Sequence, residues 1–147
     1  MRILVVEDDI QMVSLYKEWL PDILSRYKFD SPVVVTMICN GIEAGNILHD
    51  SDVPYDITIL DQVLPGESGD ALYSKYMDRM GTVVISSSYL DRFKKDLDGM
   101  DTSKCLFLKK PFNLSVLNDS LKDSLISKGG LFDEQSRNIE SKKYEVI

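Results

Sequence analysis

The sequence predicts an α/β fold: a doubly wound parallel sheet of five strands with helices on both faces. Two observations predict it. Five short, nearly continuous apolar runs alternate strictly with amphipathic helical patterns, as in a parallel sheet covered on both sides. The first and third runs end in carboxylates, Glu7-Asp8-Asp9 and Asp61, as strands do when their C-termini open on a wet crevice. Right-handed crossovers leave few topologies, and the strand order 2-1-3-4-5 is a common one. It sets the crevice between strands one and three, where Glu7, Asp8 and Asp61 end.

The first strand is Arg2–Val6. A helix follows from Asp9 to about Ser25, with Val13, Tyr16, Leu20 and Leu24 on one side. Pro21 is expected to kink it or end it early. Val33–Ile38 is the second strand. Gly41–His49 is a short helix with Ile42 and Ile47-Leu48 inward. Asp56–Leu60 is the third strand, closed by Asp61 and a breaker-rich stretch, Val63-Leu64-Pro65-Gly66-Glu67-Ser68-Gly69. Ala71–Met80 reads as a helix that stops at Gly81. Thr82–Ile85 is the fourth strand, and Leu90–Leu97 a helix with Leu90, Phe93 and Leu97 at helical spacing. Cys105–Leu108 is the fifth strand. Asn113–Lys128 is the last helix, with Leu114, Leu117, Leu121 and Leu125 as its stripe, Asn113 as N-cap and Gly129-Gly130 as stop. Residues 129–147 carry mixed charge and little pattern. They are expected to form a flexible tail beyond a domain of residues 1–128, the alternative being that Leu131-Phe132 and Tyr144–Ile147 dock it on a partner.

With 147 residues, 44% of them hydrophobic and 28% charged, the chain suits one globular domain. No apolar run reaches the roughly 18 residues of a membrane span, and the opening strand does not resemble a signal peptide. A cytoplasmic protein without membrane contact is expected. Cys39 and Cys105 lie far apart with no CxxC, so they are expected to be reduced, buried small hydrophobes rather than zinc ligands. A net charge of -7 argues against direct nucleic-acid binding. His49 is read as solvated.

Carboxylates gathered at one place repel, so either their pKa values split or a cation holds them. Hard oxygen ligands at a wet strand edge suit Mg²⁺. Asp61 is then a candidate nucleophile, since aspartate can form an acyl phosphate. Lys110, at the end of the fifth strand before Pro111, would supply a point charge. Ser86, Ser87 and Ser88 offer hydroxyls at the end of the fourth strand. Each residue has a plain alternative: Asp9 is expected to be a helix cap, and a serine run is most often a loop. The set taken together is not explained that way.

Over residues 1–128 the chain resembles the receiver domain of two-component response regulators. The motifs are ILVVEDD (Ile3–Asp9), YDITILDQVLPGESG (Tyr55–Gly69), VVISSS (Val83–Ser88) and FLKKPF (Phe107–Phe112). That family is an established example of the 2-1-3-4-5 order and its flavodoxin-like three layers, so the resemblance and the architecture are not independent. The resemblance implies a role for each matching position. Asp61 is the phosphoacceptor. Asp8 and Asp61 ligate Mg²⁺ together with the backbone carbonyl of Val63, and Glu7 acts through a metal-bound water. Lys110 pairs with phosphoryl oxygens. Ser86 or Ser87 is the switch hydroxyl, with Ser86 first by position, and Phe107 is the switch aromatic. The donor would be a sensor histidine kinase or a phosphotransfer protein. An output protein, or a second copy of the chain, would bind the face of helix 4, strand 5 and helix 5.

The chain departs from the family pattern at several points. Glu7 stands for the commoner aspartate, serine for threonine, Phe107 for tyrosine and Gly81 for proline. The segment from Asp61 to Ser86 is a few residues short. Other phosphate chemistries fit less well. The acidic loop after strand one is not a flavin phosphate loop, no DxD follows strand one or three, and GxxxxGK[ST] is absent. The rival reading is a receiver-like interaction module that works without phosphorylation. The expected setting is a stand-alone receiver or phosphorelay shuttle, or else a receiver cut from a longer regulator.

Overall fold

The structure is a computed structural model that describes residues 1–133 and 144–146. In chain order its strands are β1 (Arg2–Val6), β2 (Tyr27–Lys28), β3 (Val33–Ile38), β4 (Ile57–Asp61), β5 (Thr82–Ser87), β6 (Cys105–Lys109), β7 (Leu131–Phe132) and β8 (Tyr144–Val146). The helices are α1 (Ile10–Leu24), α2 (Gly41–Asp50), α3 (Gly69–Tyr76), α4 (Leu90–Asp96) and α5 (Leu114–Ser127). A 3₁₀ turn, Met77–Arg79, continues α3.

The main sheet runs β6-β5-β4-β1-β3-β8, all parallel. Its five strands other than β8 are those read from the sequence, in the predicted 2-1-3-4-5 order. Alternation along each strand feeds two cores. Ile3, Val5, Ile57, Ile59 and Val84 pack with Tyr16, Leu20 and Ile23 of α1 and Leu117, Leu121 and Leu125 of α5. Leu4, Val6, Leu60, Val83 and Ile85 pack on the other face with Leu48 of α2, Leu72 of α3 and Phe93 of α4.

Several expectations change; Ile42, expected inward on α2, is exposed. Pro21 does not end α1, which runs on to Leu24 because Leu20, Ile23 and Leu24 are buried on its inner face. Burial there outweighs the hydrogen bond that proline removes. The cysteines are not buried: Cys39 lies exposed just past the end of β3, and Cys105 is half-buried where edge strand β6 opens. Phe93, expected among the residues that a partner would meet on the helix 4 face, is fully buried in the core. Parts of the expected tail are built into the fold. Leu131-Phe132 pair antiparallel with Tyr27-Lys28, and Tyr144–Val146 extend the sheet beside Val33–Val35. Residues 134–143 and 147 lie outside the described residues.

Candidate functional site

Strand parity builds the site. β1 turns Ile3 and Val5 toward the α1–α5 core, so Glu7 points the same way. β4 does the same with Ile57, Ile59 and then Asp61, and β6 with Leu108 and then Lys110. Val6 pairs with Leu60, which brings Glu7 and Asp61 level at the end of the sheet. Lys110 Nζ reaches both, 2.8 Å from Glu7 Oε2 and 3.2 Å from Asp61 Oδ1. Asp8, exposed, completes a cluster in which one carboxylate oxygen each of Glu7, Asp8 and Asp61 lie within 4.8 Å of one another. These residues, with Asp9, Val63, Ser87, Ser88 and Tyr89, line a crevice of about 340 Å³.

Burial shapes the electrostatics. Glu7 and Asp61 are 1% and 7% exposed. Desolvation raises the Glu7 carboxyl to about 7; the Asp61 charge adds to the rise, and Lys110 opposes it. Asp61 is also raised, chiefly by burial, against the pull of Lys110 and of a hydrogen bond from the Gln62 N–H. Burial alone would pull Lys110 down, but Glu7 and Asp61 outweigh it and hold the ammonium above its ordinary value. With all three carboxyls ionised, as a bound cation would favour, three carboxylates against one ammonium leave two negative charges in a set of hard oxygen donors. That donor set suits a divalent cation such as Mg²⁺.

The loop after β4 is braced by close backbone approach. The Gly69 N–H donates to Gln62 O at 2.9 Å, and a Cβ on Gly69 would stand 2.1 Å from Asp61 O. At Gly41 the N–H donates to Pro65 O at 2.8 Å, and a Cβ would lie 1.8 Å from Glu67 O. Only glycine fits at either place. Two helix starts thus pin the segment that carries Asp61 and the Val63 carbonyl.

The structure places each expected residue. Glu7, Asp8, Asp61, Val63 and Lys110 come together. Lys109 points away, exposed, beside Leu90. Asp9 caps α1, accepting from the N–H groups of Gln11 and Met12, while also bordering the crevice. Of the two hydroxyls left open, Ser86 turns into the core, where Tyr16 Oη lies 3.5 Å from its Oγ. Ser87 lines the crevice. Phe107 stands outside the crevice, half-buried against the α2–α4 core, with Lys94 Nζ 4.9 Å from its ring centre. Sequence reasoning missed Tyr89 and Gln62. Gln62 carried a signal, a polar residue beside Asp61 at the end of an otherwise apolar strand.

No family model matches the chain. The regulatory protein VanRB of Enterococcus faecalis is 26% identical over 133 residues, 90% of this chain and 56% of that protein. The response regulator RppA of Synechocystis is 29% identical over 118 residues, 80% of this chain and 47% of that protein. The chain thus spans about half the length of the curated relatives it matches. Among solved structures it is similar to the receiver domain of a Pseudomonas aeruginosa sensor histidine kinase, which has a magnesium ion coordinated in its active site cleft. The TM-score is 0.63 at 20% identity, over 84% of this chain and 96% of that one. At that identity the likeness establishes the fold. The chain thus has the fold of a receiver domain and is similar in sequence to a regulatory protein and to a response regulator.

Proposed function

We propose that this chain is a phosphoacceptor receiver in a two-component or phosphorelay system. Asp61 takes a phosphoryl group from a phosphohistidine of a sensor histidine kinase or phosphotransfer protein. The phosphorus–nitrogen bond breaks as a phosphorus–oxygen bond to Asp61 forms, and the imidazole leaves with the electron pair. The observation that carries this reading is Lys110 Nζ, 2.8 Å from Glu7 and 3.2 Å from Asp61. The ammonium is already aimed at the place where phosphoryl oxygens would gather. Glu7, Asp8, Asp61 and the Val63 carbonyl would hold Mg²⁺, which when bound offsets the negative charge of an arriving phosphoryl group. Ser87 supplies the switch hydroxyl and Phe107 the switch aromatic.

The protein is regulatory, and the same residues assist both its phosphorylation and its dephosphorylation. It acts in the cytoplasm, without nucleic acid or membrane, through an output protein or a second copy on the α4–β6–α5 face. Among the described residues no helix is long and apolar enough to cross a membrane. Incubation with acetyl phosphate and Mg²⁺ should raise the intact mass by one phosphoryl group, and Asp61→Asn should abolish the gain. Undiminished labelling of that variant would refute the assignment, and no labelling of the parent chain would favour a module that signals without phosphorylation.

A further inference from the structure

Gln62 follows the proposed phosphoacceptor and is buried, 6% exposed. A polar side chain buried there needs partners. Its Nε2 donates to Asp96 Oδ2 at 3.1 Å, at the end of α4, and its Oε1 accepts from Ser87 Oγ at 2.8 Å. The polarity of this chain of bonds is determined by chemistry. A carboxylate only accepts, so the amide NH₂ faces Asp96 and Oε1 faces Ser87. Ser87 Oγ in turn accepts the Tyr89 N–H at 2.9 Å. A hydroxyl has one proton to give, and Gln62 holds it. Ser87 therefore lines the crevice with its proton turned away from it.

We infer that Gln62 is a positioning residue, a latch that keeps the Ser87 hydroxyl from the crevice and ties it to the end of α4 through Asp96. The inference rests on the reading of Asp61 as phosphoacceptor. A phosphoryl oxygen and Gln62 compete for the same proton. When the phosphoryl group wins, Gln62 loses one of its two anchors, and its hold on Asp96 slackens. A charge event in the crevice thereby reaches α4 through three side chains. The coupling is reciprocal: a partner that holds Asp96 in place strengthens the latch and opposes the phosphorylated state.

Beryllofluoride with Mg²⁺ is the probe, titrated by NMR or calorimetry against the full chain. Gln62→Met keeps the length and removes both hydrogen bonds. It should bind the probe about fivefold more tightly, the size of one net hydrogen bond. The same change in a Ser87→Ala background should add nothing. Amide shifts of Phe93–Leu97 in probe-free Gln62→Met should move toward those of the probe-bound parent. Gln62→Leu serves as a second apolar variant should the first fail to fold. Unchanged or weaker binding, or an equal gain with Ser87→Ala, overturns the latch while Asp61 labelling of the parent still supports the functional reading. Loss of that labelling in the parent overturns both.

Discussion

Neighbouring acidic residues at this site do different work. Asp8 belongs to the carboxylate cluster, whereas the Asp9 side chain is occupied by the N–H groups of Gln11 and Met12. Asp8→Asn should therefore sharply weaken Mg²⁺ binding and Asp61 labelling. Asp9→Asn should cost about 1 kcal/mol or less of stability, since asparagine caps nearly as well. Equal loss of metal affinity in both variants, read by calorimetry, would count against this division. Glu7 makes a pH prediction. Its folded pKa of about 7 lies above its ordinary 4.5, so the folded chain binds the proton more tightly. In metal-free protein, stability should then fall as pH rises from the ordinary value to about 7 and level off above. Asp61 is displaced in the same direction and adds to the slope, while Lys110 loses its contribution only in alkali, outside that window. Mg²⁺ competes with those protons, so it should raise the melting temperature more at about pH 8 than at about pH 5.5. Equal shifts at both pH values would refute the account.

At the scale of elements, the start of α3 is a brace for the site. Gly69 packs its Cα side against Asp61 O, with no room for a methyl group. Gly69→Ala should destabilise the chain by roughly 2 kcal/mol through overpacking, and should slow acetyl phosphate labelling by displacing Asp61. Urea unfolding and labelling rates check the two arms; wild-type values in both would show that the brace is dispensable. The Asn113 cap, which accepts from the Val116 N–H at 3.0 Å, stands where the sequence reading set it. The length of α1 also agrees with the reading to about Ser25; what fails is an early end at Pro21, because a local rule about proline cannot weigh the burial of Ile23 and Leu24. Strand β5 likewise runs two residues beyond the expected Ile85. Its pairing with β4 and β6 continues to Ser87, and pairing depends on partners far away in sequence.

At the scale of the molecule, the crevice opens at one end of the sheet, and α4 and β6 lie beside it. Phosphorylation would add a charge of about -1.5 to -2 there. That charge biases a conformational equilibrium only through a differential contact, and Ser87, Gln62 and Phe107 are the residues placed to supply one. NMR shift changes on adding beryllofluoride and Mg²⁺ should therefore concentrate in residues 87–96 and 105–110. The output partner, or a second copy of the chain, should protect the same surface. Changes confined to α1 would refute this choice of face. β8 lies at the edge of the main sheet opposite β6, so output through the α4–β6 face should leave its amide shifts unperturbed.

The sequence by itself determined the fold class and the members of the crevice: Glu7, Asp8, Asp61 and Lys110. These follow from pattern and position along single strands, which are properties of neighbours in the chain; the strand order was one of the few that right-handed crossovers leave, and the family resemblance pointed to it. Tertiary structure alone decided that Ser87 rather than Ser86 lines the crevice, that Gln62 joins Ser87 to Asp96, that neither cysteine is buried, and that Tyr144–Val146 extend the sheet. Each of these depends on the register between separate elements or on what a helix packs against. Parity says which way a side chain points, but only pairing across the sheet says what it meets there.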